Sequence, residues 1–170
     1  MKKTKIRNGA NSDPTGSEFL AEAIRALQIN NVFLKSCSSD CITGPGAIES
    51  GGITIATETT HTWSLSPDKK IFLCFVTMNL KGMKGEEPQF LVEACFALGY
   101  EVFFTEKLTD DMLGLFAKTN SVYNAYPYFR EFFQNTMVRM GMPPFQLPLL
   151  KPQTNKKQLD SVRVSELAGA

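Results

Sequence analysis

Three consecutive segments of this 170-residue chain alternate between apolar and polar side chains with a period of two. They span residues 53–65, 70–81 and 89–106, and short turns join them. The first turn carries Pro67 where a type I turn favours proline, and the second is rich in glycine and charged residues. Alternating segments joined by tight turns are typical of an antiparallel meander, so three neighbouring strands are predicted.

A fourth strand is predicted ahead of the meander, within residues 24–37. The glycine-rich connection that follows it, up to residue 52, is too long for a hairpin and suits a Greek key, in which the first strand lies beside the last. Residues 1–22 are polar and predicted to form a disordered arm, with a fraying helix at residues 18–27, and residues 153–170 a flexible tail. One domain, residues 23–152, remains between them.

Two helices are predicted after the strands. Thr109 is placed to cap a short helix that begins with two acidic residues. A long helix is predicted for residues 121–140, and Gly141 with the prolines after it ends that helix. Its apolar residues recur at steps of three and four, as Tyr126, Phe129, Phe133, Met137 and Met140. The predicted fold class is therefore α+β, a four-stranded antiparallel Greek-key sheet with a short and a long helix on one face.

The segment after the long helix is apolar and rich in proline. Phe145, Leu147, Leu149 and Leu150 are too apolar to extend into water, and the prolines exclude a central strand. The segment is therefore expected to dock on the chain's own core, on a sister subunit or on a client.

Composition excludes several classes of function. The net charge of +1 gives no general attraction to nucleic acid or to a membrane surface. No apolar stretch reaches transmembrane length, and the basic start is not followed by the apolar run of a signal peptide. A soluble, cytoplasmic protein is expected, without membrane insertion and without a nucleic-acid partner.

No set of residues indicates catalysis. Cys74 and Cys95 fall within predicted strands and are expected to be buried, whereas Cys37 and Cys41 are expected in a loop. Their spacing matches neither a redox motif nor a paired zinc site, and His61 is the single histidine. A phosphate-binding loop motif is also missing from the sequence. A protein that is not an enzyme, with no metal and no cofactor, is expected.

The region around the long helix resembles the SecB family of protein-export chaperones. The matching residues, in order, are Tyr126, Pro127, Tyr128, Arg130, Glu131, Gly141, Pro143, Pro144, Leu147 and Pro148. The resemblance extends to strand number, connection length and helix placement over about residues 24–152. It implies an ATP-independent holdase that binds unfolded polypeptides and preproteins and assembles as a homotetramer, a dimer of dimers.

The chain has more aromatic residues than one sheet and one helix readily bury, with 13 Phe, 4 Tyr and 1 Trp. The surplus indicates either an oligomer interface or a groove for extended apolar polypeptide. The interface candidates are Tyr126, Phe129, Phe133 and Met137. The groove candidates are Ile42, Ile48, Trp63, Phe145, Leu147 and Leu149.

The chain departs from the family at the surface that meets the export motor SecA, which in SecB is an acidic outer face of the sheet. Leu91 and Glu93 match that surface, but Asn31 and Lys35 replace its acidic residues on the first strand. Weak coupling to SecA is therefore expected. One alternative is a SecB-like chaperone dedicated to a toxin–antitoxin pair, with an antitoxin as partner. Another is a non-catalytic ligand-binding or assembly protein on the same fold.

Overall fold

The computed structural model describes residues 16–43, 52–104, 108–142 and 146–150. In chain order its elements are helix α1 (Gly16–Ala26), strands β1 (Leu27–Cys41), β2 (Ile53–Leu65), β3 (Ile71–Lys84) and β4 (Glu87–Val102), helix α2 (Asp110–Phe116), a π-helical turn (Ala117–Ser121) and helix α3 (Val122–Arg139).

The four strands form one antiparallel sheet in the order β1-β4-β3-β2. The last strand of the chain thus lies between the first and the third, which confirms the Greek-key prediction. β1 is longer than expected, and Cys37 and Cys41 pair with Ala94 and Phe90 of β4 rather than lying in a loop. The sequence after Lys35 lacks apolar alternation, so only main-chain pairing with β4 identifies it as strand.

The N-terminal arm was predicted to extend to residue 22, but the chain is helical from Gly16 onward. Ala23 and Ala26 are buried, and Phe19 and Leu20 pack partly against the core. Helix α1 contacts α2. The small buried alanines allow this close packing, and they give a weak hydrophobic signal in the sequence.

One face of the sheet carries the core. The even-numbered residues of β3 and β4 point toward the helices and are buried, as predicted from the alternation. Phe72 and Tyr100 meet Phe116 of α2 edge to face, with ring centroids 6.0 and 5.0 Å apart. Further along, Phe133 of α3 packs against Phe90. Aromatic contacts of this kind stabilise beyond the area they bury.

The short and long helices are joined without a break. Thr109 caps α2 as predicted, since its Oγ1 accepts from the Met112 N–H at 3.3 Å. The π-helical turn then continues directly into α3. At its far end, Gly141 adopts a φ of 70° and Met142 N–H donates to the Met137 carbonyl, which confirms the predicted helix stop. In the described part of the chain, no helix has the length and apolar character needed to cross a membrane.

Gly82 provides a test of the core packing, because the ring of Phe90 lies where a side chain on Gly82 would begin. We expect Gly82→Ala to lower the free energy of unfolding by about 1–3 kcal/mol, since Phe90 must leave its position against Phe133. Urea unfolding followed by circular dichroism measures the change. Gly16→Ala, made where a methyl group meets nothing within 4 Å, is the control and should stay within about 0.5 kcal/mol of the parent. Equal stabilities of the two variants would contradict this packing.

Candidate binding surfaces

A groove opens between β1 and the side of α3, with a cavity of about 380 Å³. It exists because α3 packs over β3 and β4 and leaves the helix-facing side of β1 uncovered. Leu34 and Tyr128 on its walls are exposed, and Phe96 forms part of its floor. The complete lining is Val32, Phe33, Leu34, Phe96, Tyr128, Glu131, Phe132, Asn135, Thr136 and Arg139. The groove was not predicted, because periodicity shows which residues share a face and not which faces stay uncovered.

The C-terminal segment docks on the chain's own core. Arg130 Nε donates to the Leu147 carbonyl at 2.7 Å, and the Tyr126 hydroxyl donates to the Pro148 carbonyl at 2.6 Å. Leu147 is only 4% exposed, whereas Leu149 is 71% exposed. Of the three docking partners considered from the sequence, the core is the one that this segment contacts, and Tyr126 and Arg130 fix its course along α3.

The structure does not gather the predicted groove residues into one site. Ile42 is exposed at the end of β1, where its N–H donates to Gln89. Trp63 lies half-buried against Phe72. Its row of the sheet contains Leu98, nine residues along β4 from the Gln89 that Ile42 contacts, so Trp63 and Ile42 are about 30 Å apart. Leu147 belongs to the core and Leu149 is open to solvent. Ile48 and Phe145 lie outside the described residues.

The predicted interface residues belong to the protomer itself. Phe129, Phe133 and Met137 are buried against the sheet, and Tyr126 is occupied by the C-terminal segment. Phe129, Phe133 and Met137 therefore offer no side-chain surface to a second copy. The exposed apolar residues of α3 are instead Tyr123, Tyr128 and Val138. The helical period identified the apolar stripe correctly, but that stripe faces inward.

The four residues predicted for the motor-contact face lie on the outer face of the sheet, but only Leu91 and Glu93 are near neighbours. Asn31 pairs with Gly99, six residues beyond Glu93 along β4 and thus about 20 Å away. Lys35 lies at a register shift of β1 and places its ammonium 4.3 Å from the centroid of the Phe75 ring. The register of β1, with its two shifts, sets Ser38 rather than Asn31 or Lys35 opposite Glu93.

Acidic residues nevertheless lie near Leu91 on the outer face of the sheet, although Lys81 of β3 pairs with Leu91 from the other side. Asp40 lies opposite Leu91, and Glu93 lies in the row of Asn79, which pairs with Glu58. Leu91 is exposed at the centre of this group. The β1 residue opposite Leu91 is thus the acidic Asp40. The sequence comparison had instead placed Asn31 and Lys35 at the acidic positions of this strand.

Two titratable side chains of the sheet, Cys74 and His61, have pKa values shifted from their ordinary ones. Burial raises the pKa of the Cys74 thiol to about 11, although the Ser121 hydroxyl beside it acts in the opposite direction. Burial, and then the charge of Lys118, lower the pKa of His61 in β2. Cys74 and Cys95 are buried as predicted, and within the described ranges no three side chains are grouped to hold a metal ion.

Comparison with known proteins bears on the fold. No protein-family model and no curated protein matches the chain. Among solved structures, the Mycobacterium tuberculosis Rv1957 SecB-like chaperone, in complex with a ChAD peptide from the Rv1956 HigA1 antitoxin, matches with a TM-score of 0.70 at 20% identity, over 79% of this chain and 98% of that chain. This chain has the SecB-like fold. A Streptococcus agalactiae protein of unknown function has a TM-score of 0.39 at 9% identity, over 72% of this chain and 97% of that chain, and supports no argument.

On this SecB-like sheet, His61 is a direct reporter because it is the single histidine. Its lowered pKa means that the folded protein binds fewer protons than the unfolded chain below pH 6.5, its ordinary pKa. The contribution of His61 to the free energy of unfolding is therefore complete above pH 6.5. It is lost as the pH falls through the pKa that His61 has in the folded protein.

We expect an NMR titration of His61 to give a pKa below 6.5, and Lys118→Met to move it upward, because one positive charge beside the ring is removed. Lys81→Met, on the other face of the sheet, is the matched control and should leave the His61 pKa unchanged. A pKa that does not respond to Lys118→Met would show that burial alone lowers it.

Proposed function

We propose that this protein is an ATP-independent chaperone, a cytoplasmic holdase that binds unfolded polypeptides without catalysis and without a cofactor. The observation that carries the proposal is the SecB-like fold together with large apolar side chains left exposed on several surfaces. Ile29 and Leu34 are exposed on β1, and Phe33 and Leu73 on the outer face of the sheet. Exposed apolar surface of this kind on a folded protein marks interaction sites.

The energies involved are sufficient for such a role. Burying about 300 Å² of apolar client surface would contribute roughly 7 kcal/mol before the cost of ordering the client. Micromolar affinity is then accessible without nucleotide hydrolysis. Ile42 and Leu149, the two described groove candidates whose side chains are exposed, are proposed as client contacts.

We expect Ile42→Ser and Leu149→Ser each to weaken binding of reduced, carboxymethylated α-lactalbumin about fivefold, because each removes roughly 1 kcal/mol of apolar burial. Fluorescence anisotropy of the labelled client measures the affinity. Leu91→Ser, an equally mild change at an exposed outer-face residue, is the control and should bind like the parent. Equal affinities of all three variants would contradict the placement of the client site. No binding by the parent protein would favour a ligand-binding or assembly role.

A second candidate, a chaperone dedicated to an antitoxin, is favoured by one comparison. The similar Mycobacterium tuberculosis chaperone was solved with a peptide from an antitoxin. A dedicated chaperone should bind one antitoxin segment far more tightly than unrelated unfolded chains. The same anisotropy measurement, with an antitoxin encoded beside this protein as competitor, separates the two roles.

Coupling to protein export is proposed through Leu91 and Glu93, as predicted from the sequence, together with Asp40 and Glu58. These acidic residues suit a basic partner such as SecA, although Lys81 beside Leu91 reduces the local negative charge. Asn31 lies about 20 Å from Glu93, so it gives no reason for weak coupling.

Assembly into a dimer of dimers is proposed through β1 and the groove beside it. β1 is an edge strand with free main-chain groups, and its apolar side chains continue into the groove along α3. A two-fold axis would let the same edge and groove of two copies cover each other. Phe129, Phe133 and Met137 play no part in this interface because they are buried within the protomer.

We expect light scattering at micromolar concentration to show an oligomer, and Leu34→Asp to shift it to smaller species, since the new carboxylate would have to lose its water on burial in the interface. Leu73→Asp, at a similarly exposed residue of the outer face, should leave the oligomer intact. A monomeric parent protein would exclude this assembly, and an unchanged mass for Leu34→Asp would place the interface elsewhere.

A further inference from the structure

The four cysteines divide into two buried and two accessible thiols. Cys74 and Cys95 are buried in the sheet, whereas Cys37 is exposed and Cys41 is half-buried. The two accessible thiols both lie on β1, and both pair with inward-facing residues of β4, so their side chains share the helix-facing side. Four residues of strand hold them about 13 Å apart, roughly twice the distance that a disulfide spans. Within one chain they therefore cannot bond to each other.

The main chain at these two cysteines is directed away from the sheet. Ile42 N–H donates to the Gln89 carbonyl at 2.9 Å, which makes these residues a hydrogen-bonded pair of β1 and β4. Such pairs alternate along antiparallel strands, so the even-numbered residues of this part of β1 bond to β4. Cys37, Ser39 and Cys41 direct their N–H and C=O outward instead. Among the described strands, none lies on that side of β1.

The regular stretch of β1 selects one register for a second copy. Residues 36–42 pair with β4 without a shift, and the second register shift of β1 lies just before them. A second copy that pairs antiparallel uses this whole stretch only if the two-fold axis passes beside Ser39. An axis nearer residue 37 brings the shift into the pairing and shortens it. An axis beside residue 40 sets Asp40 against Asp40 of the partner subunit, which like charges disfavour.

We propose that Cys37 of each copy forms a disulfide with Cys41 of the partner subunit, at two equivalent sites across the joined β1 edges. In the register centred on Ser39, these two residues lie directly opposite each other as a hydrogen-bonded pair. The Cα atoms of such a pair are about 5.5 Å apart, which is the usual spacing in a disulfide. The inference rests on the proposed assembly through β1 and adds to it a covalent link that depends on oxidation.

A peroxide is the class of oxidant that this pair needs. The exposed Cys37 loses its proton and attacks one oxygen of hydrogen peroxide, so that its sulfur becomes a sulfenic acid and hydroxide leaves, to be protonated to water. The thiol of Cys41 of the partner subunit then attacks that sulfur. The S–S bond forms, the S–O bond breaks, and the departing oxygen takes the thiol proton and another to leave as water, the second proton being the one that Cys41 or its surroundings releases in the exchange. In sum, two thiols and one peroxide give one disulfide and two water molecules, and two electrons pass from sulfur to peroxide.

Oxidation of the full chain at micromolar concentration tests the proposal. We expect hydrogen peroxide in small excess, followed by alkylation with N-ethylmaleimide, to give a covalent dimer on a non-reducing gel. Peptide mass spectrometry should find Cys37 joined to Cys41. Cys95→Ser, which removes a buried thiol, is the control and should cross-link like the wild type. Absence of a covalent dimer, or a dimer joined through two copies of Cys37, would overturn the proposal.

Two single variants test the register. Cys37→Ser and Cys41→Ser each remove one member of both pairs, so neither variant should form the covalent dimer alone. In an equal mixture, mixed dimers keep one complete pair, and random exchange should give about half the covalent yield of the wild type. Cross-linking by either variant alone would overturn the proposed register. Should a variant fail to assemble, the linked peptides of the wild type decide alone.

Light scattering in a reducing buffer separates this inference from the assembly on which it rests. An oligomer that forms under reducing conditions but gives no covalent dimer on oxidation keeps the proposed assembly and removes the disulfide. A monomer that also resists cross-linking removes both. Client binding is measured on the reduced protein, so either result leaves the test of the holdase function unaffected.

Discussion

Main-chain pairing with β4 is the interaction on which the rest of the structure depends. β4 lies between β1 and β3, and its residues from Ala94 to Tyr100 are buried in an unbroken run. β1, by contrast, has only Leu27 buried along its 15 residues. Side-chain burial cannot account for a strand of that kind, so the hydrogen bonds to β4 must supply its order. The consequence is a strand whose apolar side chains remain available to a partner.

The two edges of the sheet differ in regularity and in what lies beside them. β1 contains two register shifts, carries Lys35 and Asp40, and runs beside the apolar groove of α3. That combination suits a shape-specific partner such as a second copy. β2 pairs with β3 without a shift and carries one carboxylate, Glu58, so it is the more regular edge.

The sequence predicted those features that local chemistry determines. The alternation of β2, β3 and β4, the Thr109 cap and the Gly141 stop were all confirmed, because each depends on residues close together in the chain. Other features depend on contacts between distant parts of the chain. The register of β1, which sets Ser38 and Asp40 opposite Glu93 and Leu91, could not be read from the residues of β1 alone. The apolar stripe of α3 was assigned to an interface because periodicity does not tell which surface covers it. Helix α1 was expected only as a fraying helix because its buried residues are alanines.

The separation of core from surface bears on how such a protein binds. Phe72, Tyr100 and Phe116 pack together at one end, and Phe90 with Phe133 at the other, so the sheet and helices are fixed before any partner arrives. The open edges and the groove are therefore formed in the free protein. In the proposed function, binding would then cost the ordering of the client and little ordering of this protein. Because that cost depends on the client's own flexibility, affinity should be greatest for chains that are already extended, and a client that folds loses the apolar side chains through which it is held.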